Sequence, residues 1–180
     1  MYWSSSFVNK GTILYQHMNK YISDSNCAFI FDCANPLLQE KDLNDPGNNT
    51  YLKLGENGSN KILISSYSIL SLLKQKYPQY KFIGSEYFIA TDPELSHLDE
   101  LTRIKVFYKN DDILKKIPIN KTEIVLNNPC ETCIAAPSCF LEEWSKSYLY
   151  STKRSMPFCP KIKPFDTNWT IIEKLNKKGY

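Results

Sequence analysis

Short apolar runs recur along the chain at near-regular intervals, and longer polar segments separate them. The runs are rich in isoleucine, leucine, valine and aromatic residues, which is the composition of buried strands. Most are only three to five residues long, shorter than a buried helix would be. The pattern therefore predicts five strands, at residues 28–31, 62–64, 80–83, 104–108 and 123–126.

The segments between the predicted strands carry helical spacing or helix boundary signals. Residues 67–76 place four apolar side chains on one broad face, and Asp92-Pro93-Glu94 reads as a helix start with a cap, a first-turn proline and an acid. We also expect helices at 50–54, 111–117, 140–150 and 166–178, with Gly179 ending the last one. The order of elements is therefore strand, helix, strand.

Strands spaced about twenty residues apart, with helices between them, indicate parallel pairing, because a parallel crossover needs a dozen or more residues. The predicted fold class is α/β, with parallel strands alternating with helices. Periodicity alone does not distinguish an open doubly wound sheet from an arc of a barrel. A complete eight-stranded barrel typically needs about 250 residues, and this chain has 180.

Composition and charge narrow the class of protein. A hydrophobic content of 42% over 180 residues predicts one globular domain, and the sequence lacks both an export signal and a membrane-spanning run. We therefore expect a cytoplasmic protein with no membrane contact. The net charge of +3 lies in residues 161–180, which we interpret as a solvated helix face. We do not expect a nucleic-acid partner, but the positive charge of residues 161–180 does not exclude one.

Four cysteines in the last third of the chain are the strongest chemical signal. Cys130, Cys133, Cys139 and Cys159 have the spacing Cys-x2-Cys-x5-Cys-x19-Cys, with prolines at positions 129 and 160. Structural zinc is commonly held by two short Cys-x2-Cys pairs, whereas an iron–sulfur cube accepts wider spacing. The spacing favours an iron–sulfur cluster over zinc, and two disulfides or unligated thiols remain the alternative without a metal.

Short polar residues follow the ends of the predicted strands, where α/β sheets bind ligands. Each of them also suits an ordinary turn or helix cap. Asp32 lies near the end of the first predicted strand, on the face opposite to Cys33, which we expect to be a buried packing residue like Cys27. As a set, the polar residues predict a substrate-binding mouth formed by Asn35, Ser65, Ser66, Ser85, Glu86, Asn127 and Asn128.

Residues 35–159 resemble the collagenase-like peptidase family. The resemblance is carried, in the family's order, by NPLLQEKDLND, KILISSYSILSLLKQKYPQYKFIGS, ILKKIPINKTEIVLNNPCETC and FCP. It implies a TIM-barrel-like sheet and, as in some relatives, a [4Fe-4S] cluster that serves oxygen-independent hydroxylation of a quinone precursor or a tRNA base. By position it makes Cys130, Cys133, Cys139 and Cys159 the cluster ligands, and it places Asn35 and Asn127 at the mouth.

Relatives in this family continue beyond the position of Tyr180 with another strand, so we expect a partial or degenerate barrel. Residues 1–129 would form its α/β part, and residues 130–180 a Cys-rich, cluster-binding segment with a C-terminal helix in the same domain. An open parallel sheet has exposed edges. We therefore expect a protein partner, a second copy or a strand from the N-terminal residues to cover an edge.

Three functions follow from these observations. The leading one is an iron–sulfur protein that acts as an oxygen-independent hydroxylase-type oxidoreductase component, or as a relative that has lost catalysis. The second is a non-enzymatic interaction module with a structural zinc site of four cysteines. The third is a peptidase-like hydrolase, which rests on the family resemblance alone because the sequence has no recognisable nucleophile motif.

Overall fold

Six strands lie side by side in chain order and all pair in parallel. The computed structural model describes residues 2–3, 28–35, 38–126 and 169–180. All five predicted strands are present within two residues of their expected bounds, and a two-residue strand precedes them. The parallel strands alternate with helices, which confirms the α/β class. The strands are β1 (Tyr2–Trp3), β2 (Ile30–Cys33), β3 (Lys61–Ile64), β4 (Lys81–Gly84), β5 (Arg103–Phe107) and β6 (Thr122–Val125).

The strand order distinguishes between the two sheet types that periodicity left open. A doubly wound sheet reverses its strand order at a switch point, and the order β1-β2-β3-β4-β5-β6 contains no reversal. The described strands therefore do not form a doubly wound sheet. The strand β1 pairs with β2 through Tyr2 with Ile30 and through Trp3 with Phe31. An N-terminal strand therefore covers the β2 edge of the sheet, which is one of the three possibilities that we expected.

Five α-helices connect or follow these strands within the described residues, and their caps explain their bounds. Ser66 caps the second helix, which spans the predicted residues. The first helix begins earlier than predicted, because the Asp45 side chain accepts from the Asn48 N–H and Pro46 suits the first turn. The helices are α1 (Pro46–Leu54), α2 (Tyr67–Lys76), α3 (Phe88–Thr91), α4 (Asp111–Lys116) and α5 (Trp169–Lys177).

The predicted helix start at Asp92-Pro93-Glu94 is wrong. Asp92 lies immediately after α3, and its carboxylate accepts from the backbone N–H of Ser96 at 3.1 Å and of His97 at 3.0 Å. The same acid that would cap a helix instead organises a turn, because aspartate bonds nearby backbone donors in both settings. The predicted C-terminal stop is confirmed, since Gly179 follows α5 with φ of +92°.

The main hydrophobic core lies on one face of the sheet. Register partners share a face, and the core members of adjacent strands are partners, as with Ile62 and Phe82. Leu70 and Leu73 of α2 belong to the same cluster and are almost fully buried. Full burial of each such side chain contributes about 1.5–3 kcal/mol. We call this side of the sheet the core face, and its strand residues are Phe31, Cys33, Ile62, Ile64, Phe82, Ile104 and Val106.

Candidate functional site

The opposite side of the sheet carries charged residues between buried apolar ones. Asp32 lies between two core residues of β2, and Lys105 lies between Ile104 and Val106 of β5. Successive residues of a strand point to opposite faces, so both side chains project away from the core face. We call this side the polar face, and its residues include Asp32, Leu63, Ile83, Lys105 and Glu123.

Lys105 and Glu123 form an ion pair across adjacent strands. They are direct register partners on β5 and β6. The Lys105 Nζ and the Glu123 Oε1 lie 3.7 Å apart, and the two side chains are only 14% and 29% exposed. Solvent screens such a pair less than a pair on an open surface, so this pair can hold a polar ligand group in a fixed orientation.

Asp32 is the second charged element of the polar face. Its Oδ1 accepts from the Ala34 N–H at 2.9 Å. Burial raises the pKa of Asp32, and this effect exceeds the opposing effects of the Ala34 hydrogen bond and of the Lys105 charge. A carboxyl group that retains its proton more readily than usual, within the field of an ammonium group, suits proton transfer.

Two serines follow β3 and β4 at the carboxyl end of the sheet, and both are buried. The Ser65 hydroxyl donates to the Asn35 carbonyl oxygen at 2.9 Å. The Ser85 hydroxyl oxygen accepts from the Tyr87 N–H at 3.3 Å. The Ser65 hydrogen bond connects the loop after β3 to the loop after β2, and the Ser85 hydrogen bond stabilises the turn after β4. Both serines therefore stabilise loop conformations.

The four predicted substrate-binding residues have different environments. The Asn35 backbone is tied to Ser65, and the Ser66 hydroxyl oxygen accepts from the Ile69 N–H at 3.4 Å as the cap of α2. Glu86 is half-buried and has no hydrogen-bond or ion-pair partner within the described part of the chain. Asn127 lies outside the described residues, as does Asn128. Their binding role stays a prediction.

The predicted metal ligands Cys130, Cys133, Cys139 and Cys159 all lie outside the described residues, and so does Cys27. Cys33 is buried on the core face, in agreement with its predicted packing role. Among residues 2–3, 28–35, 38–126 and 169–180, no group of three or more histidine, cysteine, aspartate or glutamate side chains is arranged to hold a metal ion.

His97 belongs to a small cluster at the side of α2. Its ring stacks on Tyr67 with centroids 3.5 Å apart and an interplanar angle of 24°. Its Nδ1 lies 3.2 Å from the Asp92 Oδ2. Burial raises the pKa of Asp92, but the hydrogen bonds from His97 and Ser96 outweigh this effect and lower the pKa below its ordinary value. His97 therefore packs against Tyr67 and contacts the Asp92 carboxylate.

Sequence reasoning singled out Asp32 but missed Lys105 and Glu123. The signal was present, because Lys105 is a charged residue between apolar ones inside a predicted strand, and Glu123 begins another. In a strand that buries one face, a charged residue between apolar ones identifies the opposite face. The register that pairs the two residues requires the fold.

Within the described part of the chain, no helix has both the length and the apolar character needed to cross a bilayer. Searches of protein-family models, of curated proteins and of solved structures returned no match for this chain. The resemblance to the collagenase-like peptidase family therefore stays a prediction.

Proposed function

We propose that this chain is a cytoplasmic iron–sulfur protein of partial barrel topology, related to the collagenase-like peptidase family, with an oxidoreductase role. Its [4Fe-4S] cluster would be held by Cys130, Cys133, Cys139 and Cys159. The observation that carries this proposal is the cysteine spacing. Four thiolates are a complete ligand set for such a cluster.

Chain connectivity supports a position for the first ligands near the carboxyl end of the sheet. Leu126 directly follows β6, and Cys130 comes four residues later. An extended chain spans at most about 3.6 Å per residue, so the Cys130 Cα lies within about 14 Å of the Leu126 Cα. The corresponding bound for Cys133 is about 25 Å. Parallel sheets bind their ligands at this same end.

The polar face supplies the groups that a substrate beside the cluster would need. A bound cluster would supply one-electron transfer. Asp32 would give or take a proton, since burial favours its neutral form. Lys105 and Glu123 would orient polar groups of the substrate through charge-assisted hydrogen bonds.

The second candidate is a zinc-stabilised interaction module, in which the same four cysteines would hold a structural zinc ion. Only the pair Cys130 and Cys133 has the short spacing that is common in such sites. The hydrolase alternative has less support. Ser65 and Ser85, which follow the strands β3 and β4, are buried and hydrogen-bonded to backbone groups. Within the described residues, neither hydroxyl is bonded to a base that would activate it.

Elemental analysis of anaerobically purified protein tests the proposal. We expect about four irons and four sulfides per chain in the wild type. The double variant Cys130→Ser with Cys133→Ser should lose both, whereas Cys33→Ala, which removes a thiol outside the proposed ligand set, should retain them. Zinc in place of iron would support the interaction module, and protein without metal would overturn both candidates.

A further inference from the structure

Three basic residues occupy the amino-terminal end of the polar face on three adjacent strands. Lys61 of β3 and Lys81 of β4 are direct register partners. Arg103 of β5 is the register partner of Ile83, two residues beyond Lys81 on the same face. Because neighbouring strands lie about 4.8 Å apart, the three backbone positions span about 10 Å across the sheet.

None of these three side chains has an ion-pair or hydrogen-bond partner within the described part of the chain. Three acids that precede these strands, Glu56, Asp99 and Glu100, are each paired with a different lysine. These pairs are Glu56 with Lys53 at 2.9 Å, Glu100 with Lys74 at 2.9 Å, and Asp99 with Lys121 at 3.3 Å.

The arrangement of Lys61 opposite Lys81 is unfavourable for the sheet. Like charges on neighbouring strands repel each other, most strongly at low ionic strength. Lys61 is half-buried, whereas Lys81 and Arg103 are exposed. A bound anion would turn this repulsion into attraction. We infer that Lys61, Lys81 and Arg103 form a binding site for the phosphate groups of a compact oligophosphate ligand.

The dimensions of the site favour a compact ligand over a long polyanion. Lys61, Lys81 and Arg103 form a row across the sheet. On the β2 side this row of basic residues ends at Ile30, the register partner of Lys61. On the β6 side the next cation along is Lys121, and its Nζ is engaged by the carbonyl oxygens of Leu98 and Leu101 as well as by Asp99. Among the described residues, this row thus offers three available cations, enough for two or three adjacent phosphates.

The chemistry of the three side chains fits such a group. The planar guanidinium of Arg103 can bind two oxygens of one phosphate, and the two ammonium groups act as mobile point charges for its neighbours. A single carboxylate would engage one of the three cations and leave the others repelling each other. The site lies at the opposite end of the strands from the proposed cluster and does not depend on it.

Titration calorimetry with inorganic tripolyphosphate as the probe tests the site. The wild type should bind, and the double variant Lys61→Gln with Lys81→Gln should show a dissociation constant raised about tenfold or more, since two charge-assisted contacts are lost. The matched control is Lys115→Gln with Lys116→Gln, which removes the same charge from α4 and should bind as the wild type does. Equal losses in both variants, or no binding by the wild type, would overturn the inference.

A thermal readout separates a lost site from a lost fold. Removal of the opposed lysines should leave the melting temperature unchanged or raised at low salt, and tripolyphosphate should raise the melting temperature of the wild type but not of the variant. The second arm uses a single-stranded oligonucleotide. If it binds and tripolyphosphate does not displace it, the ligand class is wrong.

Discussion

The two faces of the sheet differ in the side chains that they bury, although the same strands form both. On β3, Ile64 points to the core face and Leu63 to the polar face, and both are buried. Ile64 belongs to the continuous hydrophobic cluster, whereas Leu63 does not. In register, Leu63 has Asp32 on one side and Ile83 on the other. Burial alone therefore does not distinguish a residue that stabilises the fold from one that lines a polar surface.

The polar face retains charges that cost stability. A charged group loses solvation when it is removed from water, and an ion pair recovers that loss only in favourable geometry. The Lys105–Glu123 distance of 3.7 Å is longer than an ideal charge-assisted hydrogen bond. Asp32 lies on the same face with a raised pKa, and a perturbed pKa is more frequent at functional sites than elsewhere. The core face thus supplies the packing that determines the fold, and the polar face is where we propose that the chemistry takes place.

The largest expected effect comes from placing the same polar side chain on each face. Ile64→Asn should reduce the free energy of unfolding by about 4 kcal/mol, because it removes a packed side chain and buries an unsatisfied amide. Leu63→Asn should cost about half as much, because the amide meets polar neighbours. Urea unfolding followed by circular dichroism measures both. Equal costs would show that the two faces are equally apolar.

The core face and its helices were predictable from the sequence because their signals are local. Short apolar runs predicted the strands, and the apolar spacing within residues 67–76 predicted the bounds of α2, which the structure shows to be capped by Ser66. The helix start predicted at Asp92 was wrong because its signal was also local. An aspartate carboxylate can accept hydrogen bonds from backbone N–H groups either at a helix start or in a turn. Which backbone follows depends on packing, which is not local.

The polar face was predictable only in part. Asp32 could be placed near the end of a strand, but the pairing of Lys105 with Glu123 and of Lys61 with Lys81 depends on register between strands. Register is set by contacts between residues about 20 apart in sequence, which composition and spacing do not contain. The proposed cysteine ligands are the reverse case, because their spacing is a chemical signal that can be read from the sequence without the fold.

A double-mutant cycle on Lys105 and Glu123 measures the electrostatic contribution of the polar face. The variants Lys105→Met and Glu123→Gln, alone and together, should give a coupling energy of about 1 kcal/mol, above the median for exposed pairs because the pair is half-buried. The exposed pair Lys115–Asp112 serves as control and should show a coupling near zero. A coupling no larger than that of the control would place Lys105 and Glu123 in the class of ordinary surface pairs.

A smaller effect is expected from the opposed lysines. Lys81→Gln alone should raise the free energy of unfolding by about 0.5 kcal/mol at low ionic strength, because it removes a like charge opposite Lys61. The gain should disappear at about 1 M salt, where the screening length falls to about 3 Å. Unfolding curves at the two salt concentrations decide this, with Lys116→Gln as the control. A gain that persists in high salt would have a cause other than charge.

The smallest expected effect concerns Asp32 and depends on pH. Because burial raises its pKa, the folded protein binds this proton more tightly than the unfolded chain. The stability contributed by the neutral carboxyl is therefore fully present below the ordinary aspartate pKa and is lost as pH rises through the raised pKa of the folded state. Asp32→Asn mimics the neutral form, so its stability advantage over the wild type should be absent at acidic pH and should grow toward neutral pH. Urea unfolding across this pH range, with the exposed Asp112→Asn as control, provides the measurement. An advantage that stays constant or shrinks as pH rises would mean that Asp32 is no more buried than an ordinary surface acid, and the polar face would lose its proposed proton carrier.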